Sequence, residues 1–390
     1  MKSNAKIIFH IDLNQFFCSV AINKNPRLKG KAFAIGRENT LKGVISTASY
    51  EARAYGVNSG MSLVDAFNKL PTLIVVSYPY SLYQEYSWRF FNIIKEYVDV
   101  VEQTSIDEGF IDVTELVKTK KIHPVKLAHE MQKRVLEELN LPCSVGISHT
   151  LYLAKMASDL KKPLGVTVIR EKDIKEKLYP LSVSAIFGIG KKTYPKLIAS
   201  GIKTIGDFMD ISNKDKIISI TGSQTYESER KALSGNSSDI IDPNRYSDPE
   251  SISRSTTFDN PLTTYDEVEK EILYLLNDVY KSMLKEKKKA KTIGITLRDK
   301  SFKTITRSKS LKEATDDLSA IQNLIVELIE DNYKEGIAYR LVGASLGNLI
   351  DNNFKDKEIN LFNYEEYYGK EEKIREIIKK FGSDKIKIGL

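Results

Sequence analysis

The run Lys6–Ile11 (KIIFHI) reads as a buried strand, and it ends on an acid, Asp12. Further along, Val100–Val113 (VVEQTSIDEGFIDV) reads as a hairpin with Gly109 beside the bend, and it carries Asp107 and Glu108. Acidic side chains at the ends of neighbouring strands can converge on one point. Three hard oxygen donors there suit Mg²⁺, which prefers carboxylates plus substrate phosphates to a closed protein cage. Two such ions, about 3.5–4 Å apart, would serve a phosphoryl transfer. The same residues also read as acids of surface turns, and spacing alone leaves both readings open.

Around these acids the chain mixes strands and helices. Asn14–Asn23 reads as a helix, Gly43–Ala48 as a strand, Tyr50–Tyr55 as a helix with another after Ser62, and Leu73–Ser77 as a short strand. Ser81–Val98 has apolar residues at helical spacing, and its Trp88, the single tryptophan, is expected in the core. Pro124–Leu139 and Leu151–Leu160 read as helices and Pro142–Ser148 as a strand, which gives the first 165 residues an α+β character. Val183–Phe208 is helical with Gly-rich turns. Leu233–Pro249, rich in Ser, Asn, Asp and Pro, reads as a linker. Strand-like runs return from Ile252 to Leu349, as in Thr292–Arg298 and Phe302–Ser308, between helices at Asp266–Lys285 and Thr315–Asn332.

With 390 residues the chain has room for two or three domains. No apolar stretch reaches the ~20 residues of a membrane span, and the N-terminus lacks a signal-peptide pattern. Two cysteines make no disulfide framework, so the cytoplasm is the expected compartment, without a membrane. The net charge of +7 is unevenly spread. Lys281–Glu313 holds twelve Lys or Arg against three acids, a local +9 that leaves about −2 for the rest. This is either a solvated helix face with a lysine-guarded strand edge or a surface that tracks phosphates.

Other chemistries find no support. His10, His123, His129 and His149 show no zinc-ligand spacing with the cysteines, and there is no nucleophile elbow. Ala185–Lys192 (AIFGIGKK) misses the Walker A pattern at both ends. Phe187–Asp207 places Gly-Ile-Gly between two expected helices. Glycines let backbone approach a phosphate, and a helix start offers free N–H groups. The segment is similar to the helix-hairpin-helix motif that grips a DNA backbone, and equally to a plain helix-helix turn.

Six segments together resemble the Y-family translesion DNA polymerases, most closely their bacterial DNA polymerase IV branch. They are HIDLNQFFCSV (from His10), STASYEARAYGV (from Ser46), SIDEGFIDVT (from Ser105), VGISHTLYLAKMASDLKKPLG (from Val145), FGIGKKT (from Phe187) and RLVGASLGNL (from Arg340). They occur in family order through nearly the whole chain. The resemblance implies a multidomain α+β right-hand polymerase. Palm would span residues 1–17 and 78–165, small fingers 18–77, a helical thumb with the Gly hairpin 166–235, and a linker 236–251. A little finger of β-sheet with two helices would span 252–349, followed by a tail, 350–390. It implies a primer-template DNA and a dNTP as substrates, two Mg²⁺ per active site, and a monomer.

Carried over by position, Asp12, Asp107 and Glu108 match the family's catalytic metal ligands, joined by the backbone carbonyl of Leu13. Phe17 falls at the steric gate against the incoming sugar, with Phe16 behind it. Tyr50, Arg53 and Lys162 match triphosphate contacts, and Thr47 adds a hydroxyl. Gly188, Gly190, Lys191 and Arg254 fall at DNA contacts. Asn14 stands where many members have Asp, Leu164 where Asn is common, and Cys18 where Ala is usual. In the tail, Glu358–Phe362 (EINLF) resembles the peptide that docks on a sliding clamp through Leu361 and Phe362, with Glu358 in place of the usual Gln. Two rivals remain at this level, a nucleotidyl cyclase and a DNA-binding scaffold without activity.

Overall fold

The computed structural model describes residues 5–245 and 247–352. The chain divides into two compact units, residues 1–248 and residue 249 onward. The tail peptide Glu358–Phe362, with Leu361 and Phe362, lies outside the described residues.

The first unit opens with strand β1 (Ile8–Leu13), helix α1 (Phe16–Lys24), short strands β2 (Phe33–Ile35) and β3 (Thr47–Ala48), and helices α2 (Tyr50–Ala54) and α3 (Leu63–Lys69). It continues through β4 (Ile74–Val76), α4 (Tyr80–Lys95), the hairpin β5 (Val101–Gln103) and β6 (Glu108–Asp112), and helices α5 (Thr114–Lys120) and α6 (Pro124–Leu139). Then come β7 (Cys143–Ser148), α7 (Leu151–Asp159), β8 (Val166–Val168) and five short helices, α8 (Ile174–Lys177), α9 (Tyr194–Ala199), α10 (Ile205–Met209), α11 (Lys214–Thr221) and α12 (Ser223–Leu233).

The main sheet has the order β5-β6-β1-β7-β8. β1 is its middle strand, antiparallel to β6 and β7, and all six of its residues are buried. A strand covered on both faces needs a continuous rather than alternating apolar run, which KIIFHI supplies. Period-2 geometry sends Phe9, Ile11 and Leu13 into the cluster that includes Phe90, Ile94, Met131 and Val135 from α4 and α6. His10 and Asp12 face the other way, toward α7. The close seat of α7 depends on Gly146, where a Cβ would lie 2.0 Å from the Ala154 carbonyl oxygen. A separate sheet, β3-β2-β4, carries α2 and α3 on its own small core of Ile45, Ala52, Val57 and Leu63.

Three sequence expectations change here. Trp88 is 68% exposed rather than in the core. The apolar stripe of α4 runs through Tyr83, Tyr86, Phe90, Ile93 and Ile94, and Trp88 falls outside it with Gln84 and Glu85. The expected strand Gly43–Ala48 shrinks to Thr47–Ala48, since Gly43 turns the chain at φ 126° and Val44 bridges only to Ser62. The helix expected before the Gly hairpin is a single 3-10 turn, Val183–Ala185, bracketed by Pro180 and by Gly188 at φ 96°.

Residues 234–245 form no regular element, but they are tied down. Glu102 is buried and accepts from Asp242 N at 2.8 Å and from Arg245 Nε at 2.6 Å. Leu151 N donates to the Ser238 carbonyl at 2.9 Å.

The second unit is a four-stranded antiparallel sheet, order β11-β10-β12-β9, built from β9 (Ser251–Leu262), β10 (Lys288–Asp299), β11 (Thr304–Thr315) and β12 (Tyr339–Asp351). Helices α13 (Tyr265–Lys285) and α14 (Leu318–Asn332) supply Ile272, Leu276, Ile325 and Ile329 to a core with Ile293, Ile295 and Val342 of the sheet. Part of the basic run is neutralised inside the unit, where Lys288 pairs with Asp351, Lys289 with Asp316, and Lys309 with Glu327 and Asp331.

Candidate active site

Strand register brings the acids together. Asp12 pairs directly with Glu108 across β1 and β6, which puts both side chains on one face. Leu13 N donates to the Asp107 carbonyl oxygen at 2.9 Å, so the hairpin bend closes onto the end of β1. A cavity of about 360 Å³ opens there, lined by Asp12, Leu13, Gln15, Phe16, Phe17, Ser46, Thr47, Tyr50, Arg53, Ser59, Ile106, Asp107 and Lys162. Every residue expected in the metal and nucleotide sets therefore lines this cavity, except Glu108, which sits beside Asp12.

Two lysines that meet the acids come from α7 and the turn after it. Lys155 Nζ lies 2.5 Å from Glu108 Oε2 and 3.2 Å from Asp12 Oδ2. Lys162 Nζ lies 2.8 Å from Asp12 Oδ1 and 2.7 Å from Asp159 Oδ1. Among the described residues no three His, Cys, Asp or Glu side chains converge as ready-made metal ligands. Cations nevertheless already stand on the carboxylates, as ammonium groups. An all-carboxylate set of hard oxygens, balanced by positive charge within hydrogen-bond distance, fits a divalent cation.

The electrostatics follow from burial and these lysines. Burial pushes the Asp12 carboxyl up, but Lys162 and Lys155 outweigh it and hold the group below the usual carboxylate range. Asp107 is raised by burial, only partly offset by the 2.6 Å hydrogen bond that Ser105 Oγ donates to it. Glu108 is raised by burial too, against the opposing pull of Lys155. Burial would lower both lysines, yet the carboxylates around them win and raise both.

His10 lies beneath this cluster, fully buried. Ser158 Oγ lies within hydrogen-bond distance of both the Lys155 carbonyl and His10 Nδ1, at 2.8 Å from each. The other ring nitrogen, Nε2, faces Glu108 Oε2, 3.7 Å away. Burial, then Lys155, holds the ring well below its ordinary pKa.

The cavity's other wall has a different chemistry. Arg53 Nε donates to the Ala48 carbonyl at 2.9 Å and Nη2 to Thr47 Oγ1 at 3.3 Å, with the guanidinium 5.2 Å above the Tyr50 ring. The buried Tyr50 hydroxyl finds no hydrogen-bond partner among the described residues. Phe17 stacks on Tyr83 with centroids 4.0 Å apart, and Phe16 is 3% exposed in the core behind. Asn14 is buried, its Oδ1 accepting from Leu164 N at 2.8 Å and its amide donating to Ser144 Oγ at 3.0 Å. That bond holds Leu164 at φ 60°. Cys18 is buried, and its thiol is pushed up to about 12. Gly188, Gly190 and Lys191 are exposed in their hairpin, and Arg254 is exposed on β9 of the second unit, opposite Ala344.

Sequence reasoning missed Lys155, Asp159, His10, Ser158, Gln15 and Tyr83. The signal for the α7 set was present, since Lys155, Ser158, Asp159 and Lys162 recur at helical spacing. His10 was legible as a polar residue two positions before Asp12, on the same strand face.

The impB/mucB/samB family signature matches residues 11–159, and the signature of that family's C-terminal domain matches residues 249–360. DNA polymerase IV of Oceanobacillus iheyensis is 36% identical over 385 residues, covering 97% of this chain and 90% of the relative. DNA polymerase IV 1 of Bacillus subtilis (strain 168) is 33% identical over 396 residues, covering 100% and 94%. Among solved structures, the Y-family DNA polymerase chimera Dbh-Dpo4(243-245)-Dbh is 25% identical with a TM-score of 0.76, over 89% of this chain and 100% of that one. An insertion ternary complex of Dbh DNA polymerase gives 25% and 0.61 over 89% and 100%. No described helix is long and apolar enough to cross a membrane. The chain thus belongs to the impB/mucB/samB family, the Y-family of DNA-directed DNA polymerases that carry out translesion synthesis.

Proposed function

We propose that this chain extends a DNA primer with dNTPs at the cavity beside β1, with Asp12, Asp107 and Glu108 holding two Mg²⁺. The observation that carries the reading is the meeting of strand-end acids with Arg53, Tyr50, Lys162 and Phe17 around one cavity. Polymerases of this family depend on metal ions. When bound, the ions lower the barrier to attack by the 3′-hydroxyl and neutralise the leaving oxygen.

The chain's own groups bind, orient and exclude. Asp12 and Glu108, paired across the strands, and Asp107 at the bend present carboxylate oxygens, and the Leu13 carbonyl adds one more. Arg53 offers a planar fork to phosphate oxygens, and Tyr50 offers its unpartnered hydroxyl. Lys162, already on Asp12, is placed to bridge between the acids and a triphosphate. The primer 3′-oxygen gives up its proton to water and bonds to the α-phosphorus as the bond to pyrophosphate breaks. Phe17, braced by Tyr83, would lie against the incoming sugar and exclude a 2′-hydroxyl.

Gly188, Gly190 and Lys191 of the hairpin, with Arg254 of β9, are proposed to hold DNA through its backbone. The regions 1–17 with 78–165, 18–77, 166–235 and 252–349 would act as palm, fingers, thumb and little finger. Glu358–Phe362 is proposed to dock on a sliding clamp, and the enzyme to work as a cytoplasmic monomer. Primer extension on intact and abasic templates, with Mg²⁺ and each dNTP singly, tests the reading. Template-directed insertion is expected on both templates, and none on either rejects it. For the peptide, deletion of residues 361–390 should remove clamp-stimulated extension, and unchanged stimulation would discard that part.

A further inference from the structure

Gln15 lines the nucleotide cavity, yet none of the roles above uses it. It forms the corner between β1 and α1 in the left-handed region, φ 41° and ψ 47°. At this N-cap position it makes no side-chain bond to the nine-residue helix it precedes. Its side chain instead reaches across to α2, where Oε1 accepts from Tyr50 N at 2.7 Å. Tyr50 is the first residue of α2, so its N–H is one of the donors that a helix start leaves without a partner.

That bond fixes the amide. A backbone N–H can meet only the oxygen, so Nε2 with its two hydrogens must point the other way. Among the described residues nothing accepts from Nε2. The Tyr50 hydroxyl, buried at the same cavity, is likewise without a partner. Arg53 and Lys162 supply positive charge beside both. Unspent donors next to cations specify an anion with several acceptor oxygens.

We propose that Gln15 is a nucleotide-binding residue of two functions. Its Oε1 holds the first turn of α2, and so the placement of Tyr50 and Arg53. Its Nε2 donates to the triphosphate of the incoming nucleotide. The inference rests on the polymerase reading above. Glutamine suits the task because one amide carries both an acceptor and two donors without adding charge. A glutamate would keep the acceptor and turn the donor into a negative charge facing phosphate.

The test is single-nucleotide insertion with the dNTP concentration varied, on wild type, Gln15→Ala and Gln15→Glu, with melting temperatures for all three. Gln15→Ala should raise KM for dNTP roughly five- to tenfold, the effect of one or two lost hydrogen bonds, with kcat within about twofold. Gln15→Glu should raise KM further than Ala does, and added salt should shrink the excess. A Gln15→Glu enzyme with wild-type KM overturns the donor role. Lowered melting temperature and kcat with unchanged KM in both variants overturns the proposal in favour of a plain brace. Wild-type extension and its loss in Asp107→Ala, run alongside, report on the polymerase reading separately. A null Gln15 series against an active wild type therefore removes only this inference.

Discussion

Lys155 sits on Asp12, with its Nζ 3.2 Å from Oδ2, and the same ammonium reaches Glu108. A charge from α7 thus neutralises acids from two strands. The arrangement explains how a partly buried cluster of carboxylates is tolerated in the fold, since uncompensated buried charge is strongly destabilising.

Lys155→Met should expose that dependence. Without the ammonium group, Asp12 and Glu108 repel each other, at a cost on the order of 3 kcal/mol in metal-free buffer. Thermal melts in EDTA and in Mg²⁺ measure it. The variant should melt lower in EDTA and gain more from Mg²⁺ than wild type does. Equal gains would mean that Lys155 is not the internal counter-ion.

Asp107→Asn should stabilise the metal-free protein while removing activity. The folded carboxyl is raised by burial, so its ionised form is disfavoured in the native state. For a raised acid, the penalty is absent below the ordinary carboxylate pKa and grows as pH rises to the raised value. The melting difference between variant and wild type in EDTA should therefore be near zero at low pH and positive at neutral pH. A difference independent of pH would contradict the assignment.

Phe17→Ala should admit a 2′-hydroxyl. The ring is held by stacking on Tyr83 at 4.0 Å rather than by chance contact. Ribonucleotide insertion relative to deoxyribonucleotide insertion should rise roughly tenfold or more, since exclusion by a clash is the role proposed for the ring. An unmoved ratio in paired insertion assays would show that selection lies elsewhere.

Arg245→Ala should weaken the first unit. Glu102 is 2% exposed, and Arg245 is its charged partner. Removing one side of a buried pair costs about 3 kcal/mol, readable by denaturant unfolding. Adding Glu102→Leu should restore much of it. If Arg245→Ala alone changes nothing, the clasp is not holding residues 234–245.

The strand and the hairpin that carry the acids were legible because their signals are local. A continuous apolar run that stops on Asp12 and a hairpin that carries Asp107 and Glu108 can be read without tertiary structure. Pro124–Leu139 was legible to the residue because proline opens the helix and Asn140 closes it in a left-handed conformation. Lys155 was not, because its meaning depends on how closely α7 presses onto β1 and β7, and that closeness is set by the missing side chain of Gly146. β2 was too short to give a period, and it exists only through its partners β3 and β4. Trp88 misled because size argues for burial, whereas helix phase decides it.

Three acids from distant parts of the chain are proposed to act as one metal-binding catalytic set. Primer extension by Asp107→Ala, with DNA binding measured on the same preparation, tests it most directly. Extension should fall by roughly a hundredfold or more while affinity for primer-template DNA stays near wild type. Extension at wild-type rates by a folded, DNA-bound Asp107→Ala enzyme would contradict it.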